Sequence, residues 1–182
     1  DFIPLETSKK LENVKHFIKM AGGAPANVCA CYAKLGGDAY FMGQVGDDPF
    51  GHYLRDTLVK FDVKTNYLSL TNKAKTALAF VSIDDTGERD FMFYRDPSAD
   101  QLYEPDQLNM EVLDQALLHF CSVGLKDYPL KKAHIEAIKY VKKHQGFISF
   151  DPNLRFALWN DAIELKETVL NFIPYANLIK VT

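Results

Sequence analysis

From Glu111 onward the chain alternates short apolar runs with amphipathic stretches of helix length, and this alternation restricts the possible folds more than any other feature. Glu111 to Leu118 reads as helical and His119 to Val123 as a short buried strand. Leu130 to His144 sets Ile135, Ile138 and Val141 on one face and lysines on the other, the pattern of an amphipathic helix. Phe147 to Phe150 is a strand running into Asp151-Pro152-Asn153, Ala162 to Phe172 a helix stopped by Pro174, and Leu178 to Val181 a last strand. Strands separated by such helices form βαβ units, so the expected class is α/β with a mostly parallel sheet. Such sheets take ligands beyond the carboxyl ends of their strands. That places candidate sites at the loop after Val45, the loop after Val123 and Asp151-Pro152-Asn153.

The first hundred residues carry the same rhythm with one interruption. Pro25 to Leu35 is rich in small residues and ends at Gly36-Gly37, with proline at the first turn and glycine past the end as helices favour. Asp38 to Gly46 is strand-like, and Gly51 to Phe61 reads as a helix with Tyr53, Leu54, Leu58 and Phe61 on one face. Between Thr76 and Arg95 the texture changes. Ala77 to Ile83 and Phe91 to Tyr94 are strands joined by Asp84-Asp85-Thr86-Gly87, a β-hairpin.

Composition excludes several classes. A net charge of −3 gives no basis for a nucleic-acid partner or an anionic membrane surface. No apolar run approaches the roughly 20 residues needed to cross a bilayer, and Asp1-Phe2-Ile3-Pro4-Leu5-Glu6 lacks the basic and apolar regions of a secretion signal. Three cysteines (Cys29, Cys31 and Cys121) fit a reducing compartment, so the expected location is cytoplasmic. Cys29 and Cys31 would point about 200° apart on a helix. His16, His52, His119, His134 and His144 lack metal spacing, so no metal site is expected. The P-loop, the G-x-G-x-x-G fingerprint and the G-x-S-x-G elbow are all missing. The chain starts without Met and stops within a strand-like run, which reads as a piece of a longer chain.

Four places carry residues suited to chemistry. Gly22-Gly23 leads into a helix whose start offers free N–H groups, and Asn27, one turn in, can both donate to and accept from paired hydroxyls. A plain tight turn before a helix reads the same way. Asp151-Pro152-Asn153-Leu154-Arg155 holds Asn153 and Arg155 on a stiffened turn, where Arg155 offers a planar fork for phosphate, carboxylate or hydroxyls; a capped helix start with a surface arginine is the alternative. Arg95, at the hairpin's return, could close over a site or pair with Asp96 or Asp100. Asp1 alone has no distinguishing context.

Taken in order, Asp1-Phe2-Ile3-Pro4, Gly22-Gly23-Ala24-Pro25-Ala26-Asn27-Val28, Leu35-Gly36-Gly37, Val45-Gly46-Asp47-Asp48-Pro49-Phe50-Gly51, the 76–95 hairpin and Asp151-Pro152-Asn153-Leu154-Arg155 with Trp159 resemble the ribokinase-type (PfkB family) carbohydrate kinases over nearly the whole chain. Cys29 departs from that pattern, since a small Ala, Ser or Thr is usual there. The resemblance implies a ribokinase-like three-layer sandwich with a small β-hairpin lid, residues 1–182 being the N-terminal part of the kinase domain. It further implies ATP and Mg²⁺, a sugar bound at the sheet's carboxyl edge, and phosphorylation of a primary hydroxyl. Fructose is the leading substrate, with 2-keto-3-deoxygluconate and ribose or a ribonucleoside as alternatives. By position, Asp1 falls on the family's acidic sugar ligand, Gly22, Gly23 and Asn27 on its sugar contacts, and Arg95 and Arg155 on residues lining the sugar or phosphate region; Asn153 joins Arg155 on the phosphate side. The first strand would precede Asp1. The family's Gly-Ala-Gly-Asp segment, whose aspartate acts as base, does not occur here, so the catalytic base is expected beyond Thr182 and this piece alone would bind sugar without transferring phosphate. Exposed lid-strand edges imply a homodimer.

Overall fold

The computed structural model describes every residue except Thr7, Glu88 and Thr182; Glu88 of the expected 76–95 hairpin and the terminal Thr182 thus lie outside the described residues. The first group of elements is a four-stranded sheet formed by β1 (Phe2–Pro4), β2 (Phe17–Lys19), β5 (Leu78–Ile83) and β6 (Arg89–Tyr94) in the order β2-β1-β5-β6. β5 and β6 are the expected hairpin, antiparallel from Leu78↔Tyr94 to Ile83↔Arg89. β1 adds in parallel at Phe2↔Phe80, and β2 pairs antiparallel with β1. Phe80 carries the junction: Phe2 stacks on it at 4.7 Å, and Phe17 meets it edge-on at 5.5 Å. The sheet is therefore larger than a hairpin. Three-residue strands such as β2, flanked by His16 and Met20, are too short to show alternation.

A second group holds α1 (Ala24–Lys34), β3 (Gly43–Gly46), α2 (Pro49–Lys60) and β4 (Leu68–Thr71), with β3 and β4 parallel. Its core is small: Ala33, Ala39, Leu58, Val63 and Leu68. The strand expected over 38–46 is shorter, with Tyr40 making only an isolated bridge to Lys64.

The third group is the βαβ array. β7 (Leu117–Cys121), β8 (Phe147–Asp151) and β9 (Leu178–Ile179) are parallel in that order, linked by α3 (Pro129–Lys143) and α4 (Ala162–Phe172). Phe120, Ile148 and Phe150 bury one face of the sheet against Ile138, Val141, Leu165, Val169 and Phe172. Phe120 stacks on Phe150 with ring centres 4.8 Å apart. Alternation sends His119, Cys121, Ser149 and Asp151 to the opposite face. Asp161 starts α4 by accepting from Ile163 N and Glu164 N, both at 2.8 Å.

One expected helix is absent. Glu111 to Leu118 contains only a 3₁₀ turn at Glu111–Leu113, after which Gln115 takes φ 52° and β7 begins at Leu117. The Val112, Leu113, Leu117 and Leu118 spacing suits a helix, but pairing of Leu117 and Leu118 with Phe147 and Ile148 prevails. Likewise the strand expected over 119–123 ends at Cys121, and Ser122–Gly124 turn as 3₁₀.

Candidate functional site

Asp1 and the Gly-Gly turn meet. A β-carbon on Gly22 would stand 2.0 Å from Asp1 Oδ2, so only glycine lets the carboxylate lie against this backbone. Met20 N donates to Asp1 O at 2.8 Å, fixing the residue beside the turn. Gly23 takes φ 107°, a conformation side chains resist, and α1 begins immediately after it. Asn27 N closes the first helical turn on Gly23 O at 2.9 Å, while its side chain is exposed and has no hydrogen bond among the described residues. A carboxylate, an amide and a helix start with open N–H groups therefore share one small region, a set suited to a polyhydroxy ligand.

The second half of the site sits at the carboxyl ends of β7 and β8. Cys121 and Asp151 are register partners. Beyond them Asp151 Oδ1 accepts from Asn153 N at 2.9 Å, and Asn153 adopts φ 35°, so the turn is held by a side chain as well as by Pro152. Ser122, fully buried, donates to Asn153 O at 3.4 Å, joining the two strand ends. Lys180, one residue past β9, donates through its backbone to Phe150 O at 3.0 Å and through Nζ to Asp151 Oδ2 at 3.3 Å.

The two arginines behave differently from free ligands. Arg95 Nε donates to Asp100 Oδ2 at 3.1 Å, its Nη2 contacts the same oxygen, and its Nη1 donates to Val123 O at 3.0 Å. Its side chain is 9% exposed, so this fork is committed inside the chain. Of the two carboxylates weighed as partners, Asp100 takes the arginine, while Asp96 accepts from Tyr128 at 2.7 Å. Arg155 Nη1 donates to Leu154 O at 3.1 Å, and the guanidinium lies 5.2 Å from the centre of the Phe91 ring on β6. Both arginines thus tie the four-stranded sheet to the carboxyl edge of the parallel one. No hydrogen bond among the described residues joins the Asp1–Gly22–Asn27 group to the Arg95–Asn153–Arg155 group.

Residues that sequence reasoning passed over fix this frame. Asp48 caps α2 through Phe50 N and Gly51 N, and also accepts from Thr76 N at 2.8 Å and Thr76 Oγ1 at 2.9 Å. Burial raises its carboxyl pKa, but these hydrogen bonds outweigh burial and the net position is below the usual aspartate value. Gln44, buried in β3, donates to Ala99 O at 2.7 Å and accepts from Gln107 and Ser69, steadying the segment that bears Asp100. An Asp-Pro pair before an apolar helix was readable as a cap; its second role depends on a residue 28 positions away. Burial pushes the Cys29 thiol up to about 11 and raises Cys121 as well, so both are protonated, unreactive packing groups. Among the described residues no helix is long and apolar enough to cross a membrane, and no cluster of three His, Cys, Asp or Glu gathers to hold a metal. A depression lined by Asp114, Gln115, Lys143, His144 and Gln145 lies at the amino ends of β7 and β8, the wrong end for a parallel-sheet site.

The sequence matches the pfkB family carbohydrate kinases over residues 1–182: the chain belongs to that family. A probable fructokinase-2 of Arabidopsis thaliana is 43% identical over all of this chain, which covers 56% of that protein. Fructokinase-2 of Solanum lycopersicum is 40% identical with the same coverage. Among solved structures, a fructokinase from Xylella fastidiosa superposes with a TM-score of 0.87 at 34% identity, over 98% of this chain and 55% of its own. A fructokinase from Vibrio cholerae O395 with fructose, ADP and calcium bound gives 0.81 at 32% identity, over 98% of this chain and 57% of its own. The fold is thus ribokinase-like, and the chain spans a little over half the length of these relatives.

Proposed function

We propose that the protein to which these residues belong is an ATP-dependent kinase acting on a primary hydroxyl of a sugar, with fructose as its substrate, and that residues 1–182 form the N-terminal, sugar-binding part of its kinase domain. The observation that carries this reading is the Asp1 carboxylate seated on Gly22 beside the exposed Asn27. The carboxylate accepts from vicinal hydroxyls, the open N–H groups at the start of α1 donate to them, and Asn27 does both. Arg95 and Arg155 shape the roof by holding the four-stranded lid against the carboxyl edge, and Asn153 with Arg155 faces the phosphate side. The fructokinase relatives and the neighbour with bound fructose and ADP support fructose over 2-keto-3-deoxygluconate or ribose. Mg²⁺ would accompany the nucleotide, bridging its phosphate oxygens and neutralising the charge that develops in transfer.

The test is a coupled assay on the intact protein with ATP and Mg²⁺ across fructose, 2-keto-3-deoxygluconate, ribose and ribonucleosides. Turnover of the keto-deoxy acid without turnover of fructose would sink the fructokinase assignment. For the 182 residues alone we propose sugar binding without transfer, because no Gly-Ala-Gly-Asp segment is present to supply the base. We also propose dimerisation through the four-stranded sheet, whose edge strand β6 exposes Met92 and Tyr94. A monomeric mass for the intact protein in solution would count against it.

A further inference from the structure

Helix α3 carries five lysines and one acid, in a chain whose net charge is −3. At about 100° per residue, Lys131, Lys142, Lys139, Lys132 and Lys143 fall in that order within an arc of about 120°, along about 18 Å of the helix. The arc faces outward: Lys132, Lys139, Lys142 and Lys143 are exposed, while Ala137, Ile138 and Val141 are buried in the core. Glu136, at the edge of the arc, accepts from Lys139 at 2.9 Å, and the Lys142 ammonium lies 5.3 Å from the centre of the Tyr175 ring. Lys131, Lys132 and Lys143 have no acidic partner among the described residues. Helix formation does not account for this pattern. The macrodipole favours Lys142 and Lys143 in the last turn, but it disfavours Lys131 and Lys132 in the first. Lys139 and Lys143 are moreover like charges four residues apart, which oppose a helix. Beside the stripe, Ile135, Ile138, Lys139, Asn171, Phe172 and Tyr175 line a cleft of about 160 Å³ between α3 and the end of α4. That volume is close to the roughly 150 Å³ that accepts one benzene ring.

We propose that this face of α3 docks an acidic peptide segment of a partner protein, with its carboxylates on the lysine stripe and one aromatic or leucine side chain in the α3–α4 cleft. Charge complementarity sets the sign of the partner, and the cleft gives an apolar anchor that a bare polyanion cannot use. Two other anionic surfaces fit less well. The stripe holds no arginine, the residue whose planar fork suits the phosphates of a nucleic acid. A lipid surface would need a broad apolar face beneath the cations, whereas the apolar area here is one concave cleft. Both are also larger than the stripe and would press their charge against the acidic remainder of the chain. A peptide covers the stripe alone. The surface uses no residue of the proposed sugar or phosphate site, so it stands or falls independently of the substrate.

The experiment uses the intact protein and fluorescence anisotropy with a labelled peptide of glutamates flanking one central phenylalanine. Binding with a Kd on the order of 10 μM at low salt is expected, weakening as salt is added. Lys132→Glu/Lys143→Glu should weaken it about tenfold or more, and Glu136→Gln should tighten it. A peptide with alanine in place of the phenylalanine should bind about tenfold more weakly. These variants change exposed side chains only, and an unchanged far-UV circular dichroism spectrum shows that they fold. Equal affinity for the phenylalanine and alanine peptides would reduce the stripe to a nonspecific polyanion patch and overturn the proposal. So would tighter binding of a single-stranded oligonucleotide, or of vesicles of phosphatidylserine and phosphatidylcholine in equal parts, than of the peptide. An affinity untouched by the double charge reversal, or no binding at all, would overturn it too.

Discussion

At the scale of single residues, two carboxylates do work that their neighbours in sequence do not reveal. Asp48 holds both the start of α2 and the start of the hairpin at Thr76. Replacing it by Ala removes a cap and leaves the Thr76 N–H without its acceptor, an expected loss of about 2–4 kcal/mol in urea unfolding. Its carboxyl pKa is lowered in the fold, so the sign is fixed. The contribution is complete above the usual aspartate value of 3.8 and is lost as pH falls through the lower folded value. Asp48→Asn should therefore flatten the most acidic part of the stability profile. At the proposed sugar site, a β-carbon on Gly22 cannot coexist with the Asp1 carboxylate as placed. Gly22→Ala is expected to raise the KM for fructose about tenfold to a hundredfold while leaving the ADP affinity near wild type. An unchanged KM would remove Asp1 from the proposed site.

At the scale of elements, the parallel array depends on a few rings. Phe150 is fully buried and stacks on Phe120, so Phe150→Ala should cost about 3–5 kcal/mol by chemical denaturation. α4 was legible to the residue because Asp161 caps it and Pro174 follows, and α3 differed from expectation by one residue at each end. Local signals sufficed there. They failed over 111–118, where helical spacing competed with a pairing partner 30 residues away. They failed too for β2 and β4, three and four residues long, which exist only because other strands lie beside them. The candidate site divides the same way. The Gly22-Gly23 turn was readable because glycine there is a backbone requirement. The engagement of Arg95 by Asp100 was one of two open partnerships, and Lys180 gave no sign because its position depends on register between β8 and β9.

Across the whole molecule, two histidines make stability sensitive to mild acid. Burial lowers the pKa of His134, against the opposing hydrogen bond to Leu130 O and with help from Arg95. Burial likewise lowers His119, with Asp151 opposing and Lys180 assisting. A base held neutral in the fold stabilises fully above its ordinary value of 6.5 and loses that contribution as pH falls toward the lowered value. The unfolding midpoint should thus fall as pH is taken below about 6.5, and the decline should weaken in His119→Gln and His134→Gln. A midpoint flat across this range would refute it. His119 Nε2 and Trp159 Nε1, buried without partners among the described residues, mark where this half of the fold is least complete in its hydrogen bonding.

Both strands of the hairpin leave the body from fixed posts, Thr76 clamped to Asp48 and Arg95 to Asp100. A flap fastened at both feet cannot swing as a door does. It deflects as a cantilever braced along β5, where β1 pairs at Phe80 and Ser8 N donates to Ile83 O at 2.9 Å, so that β6 has the freer edge. Motion is then graded, smallest beside Thr76 and Arg95 and largest at the Asp84–Gly87 tip. Amide hydrogen exchange should slow progressively from tip to root, and loosening either post by substitution should speed exchange along both strands together.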